Sequence, residues 1–159
     1  MISNKETLLK AREYAFLLLK FRLRSEKELY QRLKQKKFSE EVIRDTIEFL
    51  KEKKFLDDGL FAKGWINSRI KKPYGLRRIV QELKLKGIDK EIIEEKLGEA
   101  KKNYQEEEVV EELIEERLNK LKNIEPQTAR KRVYGYLARR GFSPEIIIDK
   151  INILCKQTY

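Results

Sequence analysis

The chain has 159 residues, of which 40% are charged and only 3 are proline, a composition typical of solvated helices rather than a deep sheet core. Lys and Arg outnumber Asp and Glu by 37 to 27, and the resulting net charge of +10 indicates an anionic partner. With no histidine and one cysteine, an intrachain disulfide and a Cys/His zinc site are excluded, and the commonest general base is missing.

The sequence shows no pattern typical of a membrane segment, a targeting signal or a cofactor motif. Residues 1–7 are polar, unlike a signal peptide, and the longest strongly apolar run, 15–19, is far shorter than the roughly 20 residues of a membrane span. The 7 glycines form no phosphate-binding loop. We therefore expect a cytoplasmic, non-catalytic protein with no cofactor, no metal and no membrane association, in which Cys155 packs within a helix.

The first predicted helix has one apolar face, and the second begins at a predicted capping box. The face consists of Leu8, Ala11, Ala15, Leu18 and Leu19. The box is Ser25 to Glu28, in which the Ser25 hydroxyl caps the helix and Glu28 is expected to reach back.

The pattern of the second and third helices then returns twice, after 50 and after 54 further residues. The matched apolar positions of the second helices are Leu29, Ile79 and Val133, then Leu33, Leu83 and Leu137, then Phe38, Ile88 and Phe142. Those of the third helices are Val42, Ile43 and Ile47, then Ile92, Ile93 and Leu97, then Ile146, Ile147 and Ile151. A period near 50 residues with helical spacing predicts stacked helical units.

Boundary residues support the same division. The predicted N-caps of the third helices are Ser39, Asp89 and Ser143, and Pro144 stands at a first helical position. Gly87 and Gly141 suit the left-handed residue after a helix end, whereas Lys37 at the matching place predicts a weaker end. Asp57 and Asp58 are predicted to cap a helix that begins near Leu60.

The remaining first helices are also amphipathic. Their predicted core faces are Phe61, Ala62, Trp65, Ile66 and Ile70 in the second copy, and Val110, Leu113, Ile114, Leu118 and Leu121 in the third. Seven glutamates between 106 and 116 are expected to form a solvated face opposite the apolar one. The sequence thus predicts an all-α fold of three tandem three-helix repeats, 1–57, 58–102 and 103–159, in an elongated molecule able to curve.

Positive charge is concentrated in the second helices of copies two and three. Residues 59–102 carry 12 Lys and Arg against 6 Asp and Glu, a net charge of +6, whereas 103–159 carry 10 of each. The sequence predicts that the first helical turns contain Arg77, Arg78 and the cations of 130–132. A cation at a helix N-terminus interacts unfavourably with the helix dipole, which costs about 0.3–1 kcal/mol for each residue. A helix N-terminus with such cations could bind a phosphate or a carboxylate; the alternative is a solvated basic face.

The second copy carries residues that resemble the RecX family. They are Phe55, Leu56, Asp57, Asp58, Phe61, Ala62, Arg69, Gly75, Arg77, Arg78, Ile79, Glu82, Leu83, Lys86, Gly87 and Ile88. The first copy resembles that family through Arg24, Ser25, Glu26, Glu28, Leu29 and Leu33, and the third through its pattern with Gly141 and Phe142.

The resemblance implies a non-enzymatic protein of three tandem three-helix repeats that binds the RecA recombinase and its filament on single-stranded DNA. We expect the protein to be a monomer. Such a protein limits filament growth, ATP hydrolysis, strand exchange and co-protease activity. Two alternatives remain open: a direct DNA-binding protein, or a helical scaffold for an acidic protein partner. The candidate binding residues are Arg69, Lys71, Lys72, Tyr74, Arg77, Arg78, Lys84, Lys86, Arg130, Lys131, Arg132, Arg139 and Arg140.

Overall fold

A computed structural model of the chain describes the backbone of residues 4–157 and the side chains of 5–154. Within that part the chain forms nine helices and no strand, which confirms the prediction of an all-α fold. The helices are α1 Asn4–Phe21, α2 Glu26–Gln35, α3 Glu40–Glu52, α4 Asp58–Ile70, α5 Leu76–Leu85, α6 Lys90–Lys101, α7 Glu106–Lys120, α8 Pro126–Arg139 and α9 Pro144–Gln157. The side chain of Cys155 lies outside the described residues, so its packing stays a prediction.

The repeated apolar positions form the core. Every matched position of the second helices is buried except Phe38, which is half-buried and packs against the core of the first repeat. Ala11 and Ala15 of α1 are fully buried and allow α2 and α3 to approach it closely. In the third repeat α7, α8 and α9 share a core around Phe142, which is 1% exposed. Burial of these side chains, at about 25 cal/mol per Å² of apolar surface, stabilises short helices that would be marginal alone.

The helix ends follow the repeat as well. The hydroxyls of Ser39 and Ser143 accept hydrogen bonds from amides at the starts of α3 and α9. Gly87 and Gly141 have φ of +78° and +86°, as expected for the residue after a helix end. Lys37 adopts the same left-handed conformation with φ of 63°, so the end of α2 has the same geometry despite the side chain.

The predicted capping box of α2 is only half correct. The Ser25 hydroxyl accepts the Glu28 amide at 3.2 Å, as predicted. The Glu28 carboxylate does not serve as the reciprocal cap, because it binds Arg22 and Lys86 instead. A different amide of this helix end, that of Glu26, is capped by Asp58, which accepts it at 2.8 Å. Asp57 caps α4 through the Leu60 amide, as predicted.

Two compact units divide the chain differently from the sequence repeat. One contains the residues up to 64 together with 83–96, and the other contains 65–82 together with the residues from 97 onward. The division passes through α4, α5 and α6, so the helices of the second repeat contribute to both units. The repeat boundaries 1–57, 58–102 and 103–159 remain a prediction from the sequence.

Candidate partner-binding surface

Two turns of the second unit meet at a pair of glycines. The Gly75 amide, just before α5, donates to the carbonyl of Arg140 at 2.9 Å. A Cβ at Gly75 would lie 2.2 Å from the backbone of Gly141, and a Cβ at Gly141 would lie 2.2 Å from the Cβ of Arg78. Only residues without a side chain permit this approach, which fixes the turn after α4 against the turn after α8.

Tyr74 is the centre of a cluster of arginines on this junction. The Cζ atoms of Arg78, Arg140 and Arg69 lie 4.1, 5.3 and 5.6 Å from the centre of its ring. Arg140 also donates to the carbonyl of Lys72 at 2.8 Å, which anchors its guanidinium beside the ring. An aromatic face attracts such cations, and the arrangement holds three positive charges close together. We call Arg69, Tyr74, Arg78 and Arg140 the tyrosine–arginine cluster.

Glu82 holds two of these arginines in place. Its carboxylate accepts hydrogen bonds from Arg69 Nε at 2.6 Å, Arg78 Nε at 2.9 Å and Trp65 Nε1 at 2.9 Å. Burial acts to raise the pKa of Glu82, but these three hydrogen bonds outweigh it and the pKa is lowered. The unfavourable interaction with the helix dipole that the sequence predicted for Arg78 is thus offset by its ion pair with Glu82, four residues later in α5.

The start of α5 is already occupied by an acid of the chain itself. Glu106, the first residue of α7, accepts the Leu76 amide at 2.8 Å. Burial raises the pKa of this carboxyl above its ordinary value, although the Leu76 hydrogen bond acts to lower it. Glu106 thus occupies the Leu76 amide at this helix N-terminus, and it is not part of a wholly solvated face, contrary to the prediction for the seven glutamates.

The outer part of this region carries exposed positive charge. Lys71, Lys72 and Arg77 are exposed beside the tyrosine–arginine cluster. Arg77 follows the first residue of α5, as predicted, and faces solvent while Arg78 faces the cluster. The fixed cluster and its exposed neighbours can attract an anionic surface through charge-assisted hydrogen bonds.

The cations of 130–132 lie one turn later than predicted. Helix α8 begins at Pro126, and Glu125 caps it by accepting the Gln127 and Thr128 amides. Arg130, Lys131 and Arg132 therefore occupy the second turn, beyond the strongest part of the helix dipole. The sequence-based start was too late because glutamate is outside the usual set of N-cap residues. Arg139 and Arg140 lie at the end of α8, as predicted.

Lys84 and Lys86 belong to the other compact unit. Lys84 is exposed on the last turn of α5. Lys86 forms an ion pair with Glu28, which also binds Arg22. Burial acts to raise the pKa of Glu28, but the hydrogen bonds from Arg22 and Lys86 lower it to about 2. Lys86 thus serves the packing of the first unit through this ion pair.

Sequence reasoning named three further residues of this surface but missed the contacts that they make. The contact of Glu82 with Arg78 could have been found, because Glu82 stands four residues after Arg78 on one helix face. The contact of Glu106 with Leu76 could not, because it joins positions 30 residues apart. Trp65 was assigned to the core, and it is half-buried with its indole nitrogen bonded to Glu82.

Within the described residues no group of three or more His, Cys, Asp or Glu side chains is placed to hold a metal ion. The same part of the chain contains no helix both long and apolar enough to cross a membrane.

Family models and known structures agree with this architecture. Models described as the first, second and third three-helix domains of RecX match residues 11–50, 57–97 and 105–151. The solved structure of RecX from Lactobacillus salivarius superposes with a TM-score of 0.82 at 24% identity, covering 94% of this chain and 97% of that one. A second RecX structure gives a TM-score of 0.78 at 21% identity, over 89% and 71% of the two chains. These two likenesses show the fold.

Relatives with higher sequence identity extend the comparison from the fold to the family. The regulatory protein RecX of Amycolatopsis mediterranei is 37% identical over 87% of this chain and 79% of its own length. That of Clostridium botulinum is 33% identical over 95% and 71%, and that of Haemophilus influenzae is 32% identical over 87% and 90%. By repeat architecture, domain matches and identity over most of its length, the chain belongs to the RecX family of regulatory proteins.

Proposed function

We propose that this protein regulates the RecA recombinase by binding it and its filament on single-stranded DNA, and that it thereby inhibits filament growth, ATP hydrolysis, strand exchange and co-protease activity. It acts in the cytoplasm as a monomer, by binding and without catalysis. Membership of a family of regulatory proteins supports the regulatory role.

The observation that carries the proposed surface is the tyrosine–arginine cluster with its exposed neighbours. Glu82 and the backbone carbonyl of Lys72 fix the guanidinium groups, so little side-chain freedom is lost when a partner binds. Lys71, Lys72 and Arg77 add exposed charge that steers an anionic filament toward this surface.

The scaffold alternative gains little from the acidic helix α7. Glu106 is engaged with the Leu76 amide, and Glu111 forms an ion pair with Lys150 at 2.9 Å. Two of its seven glutamates therefore serve intramolecular packing rather than a partner.

Charge reversal of exposed residues tests the proposal. In the variant Lys71→Glu with Arg77→Glu we expect the inhibition of recombinase ATPase on single-stranded DNA to be lost or to fall by at least about tenfold, because two attractive contacts become repulsive. Both side chains are exposed, so helicity and thermal stability should be unchanged. The readout is ATP hydrolysis across a titration of the regulator.

A matched control reverses two exposed lysines elsewhere, Lys63→Glu with Lys90→Glu, and should inhibit like the natural protein. Reversal of Arg78 is a poor test, because Arg78 is bonded to Glu82 and packs on Gly141. Full inhibition by the Lys71 and Arg77 variant would show that the surface is assigned wrongly. No inhibition by the natural protein would refute the function itself.

A further inference from the structure

The third repeat contains a basic groove between α7 and α8. It encloses about 390 Å³ and lies on the same unit as the tyrosine–arginine cluster, which it meets at Tyr136, whose ring centre is 4.9 Å from the Cζ of Arg140. The lining residues are Arg117, Leu121, Lys131, Arg132, Val133, Gly135, Tyr136 and Arg139. Four of them are cations and none is acidic, so the groove selects for negative charge.

The cations of this groove are ordered along one side of α8. Lys131, Gly135 and Arg139 follow at intervals of four residues, so the two charged ends lie about 12 Å apart along the helix axis. Arg117 faces them from α7 and is held by Tyr136, whose ring centre lies 3.7 Å from its Cζ. Such a row can contact more than one phosphate of an extended strand.

Gly135 keeps the floor of the groove open. Glycine is disfavoured inside a helix, yet a Cβ here would meet only Arg139 Nη1 at 3.1 Å, the end of a flexible side chain. Packing within the chain therefore does not require the glycine. Its absent side chain allows a ligand to approach the helix backbone between Lys131 and Arg139.

A second groove adjoins the first across α8. It encloses about 350 Å³ between α8 and α9, and Lys131 lines both grooves. Its surface includes Tyr134, which is 36% exposed, Ile148, which is 50% exposed, and the amide side chain of Asn152. An exposed aromatic ring beside apolar carbon and an amide is the chemistry that receives an unstacked nucleobase.

We propose that α8 is a direct binding site for single-stranded nucleic acid, with backbone phosphates in the α7–α8 groove and a base on Tyr134 in the α8–α9 groove. This deepens the proposed function by naming the surface that contacts the DNA of the filament, and it rests on that function only for its biological role. The pairing of a cation row with an aromatic groove favours a strand over an acidic peptide, which has no base to stack. It also favours a single strand over a duplex, whose bases are stacked inside.

Binding of the full chain to a labelled oligothymidylate of about 20 nucleotides tests the site without recombinase. Anisotropy titrations at several salt concentrations give the affinity and its salt slope. Arg132→Gln removes one phosphate contact, so the slope of log K against log salt should decrease by about 0.7. Tyr134→Ala should weaken binding about fivefold or more with an unchanged slope, and Tyr134→Phe should restore it.

Lys102→Gln is the matched control, because it removes an exposed charge outside both grooves and should bind like the natural protein. Unchanged binding by both Arg132→Gln and Tyr134→Ala would overturn the site. If polyglutamate or ATP competed as strongly as the unlabelled oligonucleotide, the ligand would not be a nucleic acid strand. If a duplex bound with equal affinity, the proposed contact between a base and Tyr134 would be wrong. The Lys71 and Arg77 variant should still bind the oligonucleotide, which separates a failure here from a failure of the recombinase proposal.

Discussion

Gly75 and Gly141 allow two turns to contact each other without intervening side chains. Gly141 has a left-handed backbone with φ of +86°, and a Cβ added to it would lie 2.2 Å from the Cβ of Arg78. Gly75 does not have a positive φ, but a Cβ added to it would lie 2.2 Å from the carbonyl of Gly141 and would overlap it. The hydrogen bond from the Gly75 amide to Arg140 depends on this approach, and so does the position of Arg140 beside Tyr74.

Replacing either glycine by alanine should therefore separate the turns. We expect Gly75→Ala and Gly141→Ala each to lower the free energy of unfolding by about 2 kcal/mol or more, because the clash is with backbone or with a Cβ that cannot rotate away. Urea unfolding followed by circular dichroism measures this effect.

The control for that experiment is Gly98→Ala inside α6, where an added Cβ meets nothing within 4 Å. This substitution should raise the stability by about 1 kcal/mol through helix propensity. If all three variants had equal stability, the close approach of the two turns would not contribute to folding.

At the level of elements, the start of α2 is fixed by residues far away in sequence. The Ser25 hydroxyl donates to the carbonyl of Lys86 at 2.7 Å while it caps the Glu28 amide. Asp58 binds the Glu26 amide, and Lys86 binds the Glu28 carboxylate. One short helix end thus joins the first repeat to the start of α4 and to the residue after α5 within one compact unit.

This junction should give the first unit a defined dependence on acid. The pKa of Glu28 falls from an ordinary value of 4.5 to about 2, so its carboxylate stabilises the fold above pH 4.5 and loses that effect as the pH falls toward 2. Glu28→Gln should cost about 1–2 kcal/mol at neutral pH, discounted for solvent screening, and should flatten the change in stability between those pH values. Chemical unfolding at a series of pH values measures it.

Glu48→Gln is the matched substitution, because Glu48 is exposed on α3. It should leave the stability at neutral pH unchanged. An acid dependence that survives in Glu28→Gln would mean that other carboxylates determine it.

The elements themselves could be predicted because the sequence repeats them. Positions such as Leu33, Leu83 and Leu137 recur at matched places, and a buried helix face needs apolar side chains at those intervals. The start of α8 was missed since Glu125 is an unusual cap, and the role of Glu106 was missed since a contact over 30 residues leaves no local pattern. The sequence predicted that the residues of the tyrosine–arginine cluster form part of a binding surface. It did not predict the hydrogen bonds that join Arg69 and Arg78 through Glu82.

At the level of the whole chain, repeats in sequence and units of folding are different divisions. A three-helix unit of about 50 residues buries a low fraction of its surface and is only marginally stable alone, so we expect neighbouring segments to complete its core. Residues 83–96, which belong to the second repeat in sequence, fold with the first repeat. We therefore predict that the boundary at residue 57 separates segments that depend on each other for stability.

A pair of fragments tests this dependence. A fragment ending at residue 57 lacks Asp58 and Lys86, so the Glu26 amide and the Glu28 carboxylate lose their partners, and it also lacks the segment 83–96. We expect it to be less helical than the corresponding part of the full chain and to unfold at lower urea without a sharp transition, because each lost cap or ion pair costs about 1 kcal/mol in a small core. A fragment ending at residue 101, after α6, retains these contacts and should unfold cooperatively. Far-UV circular dichroism with urea titration compares the two, and equal stability would show that the first repeat folds on its own.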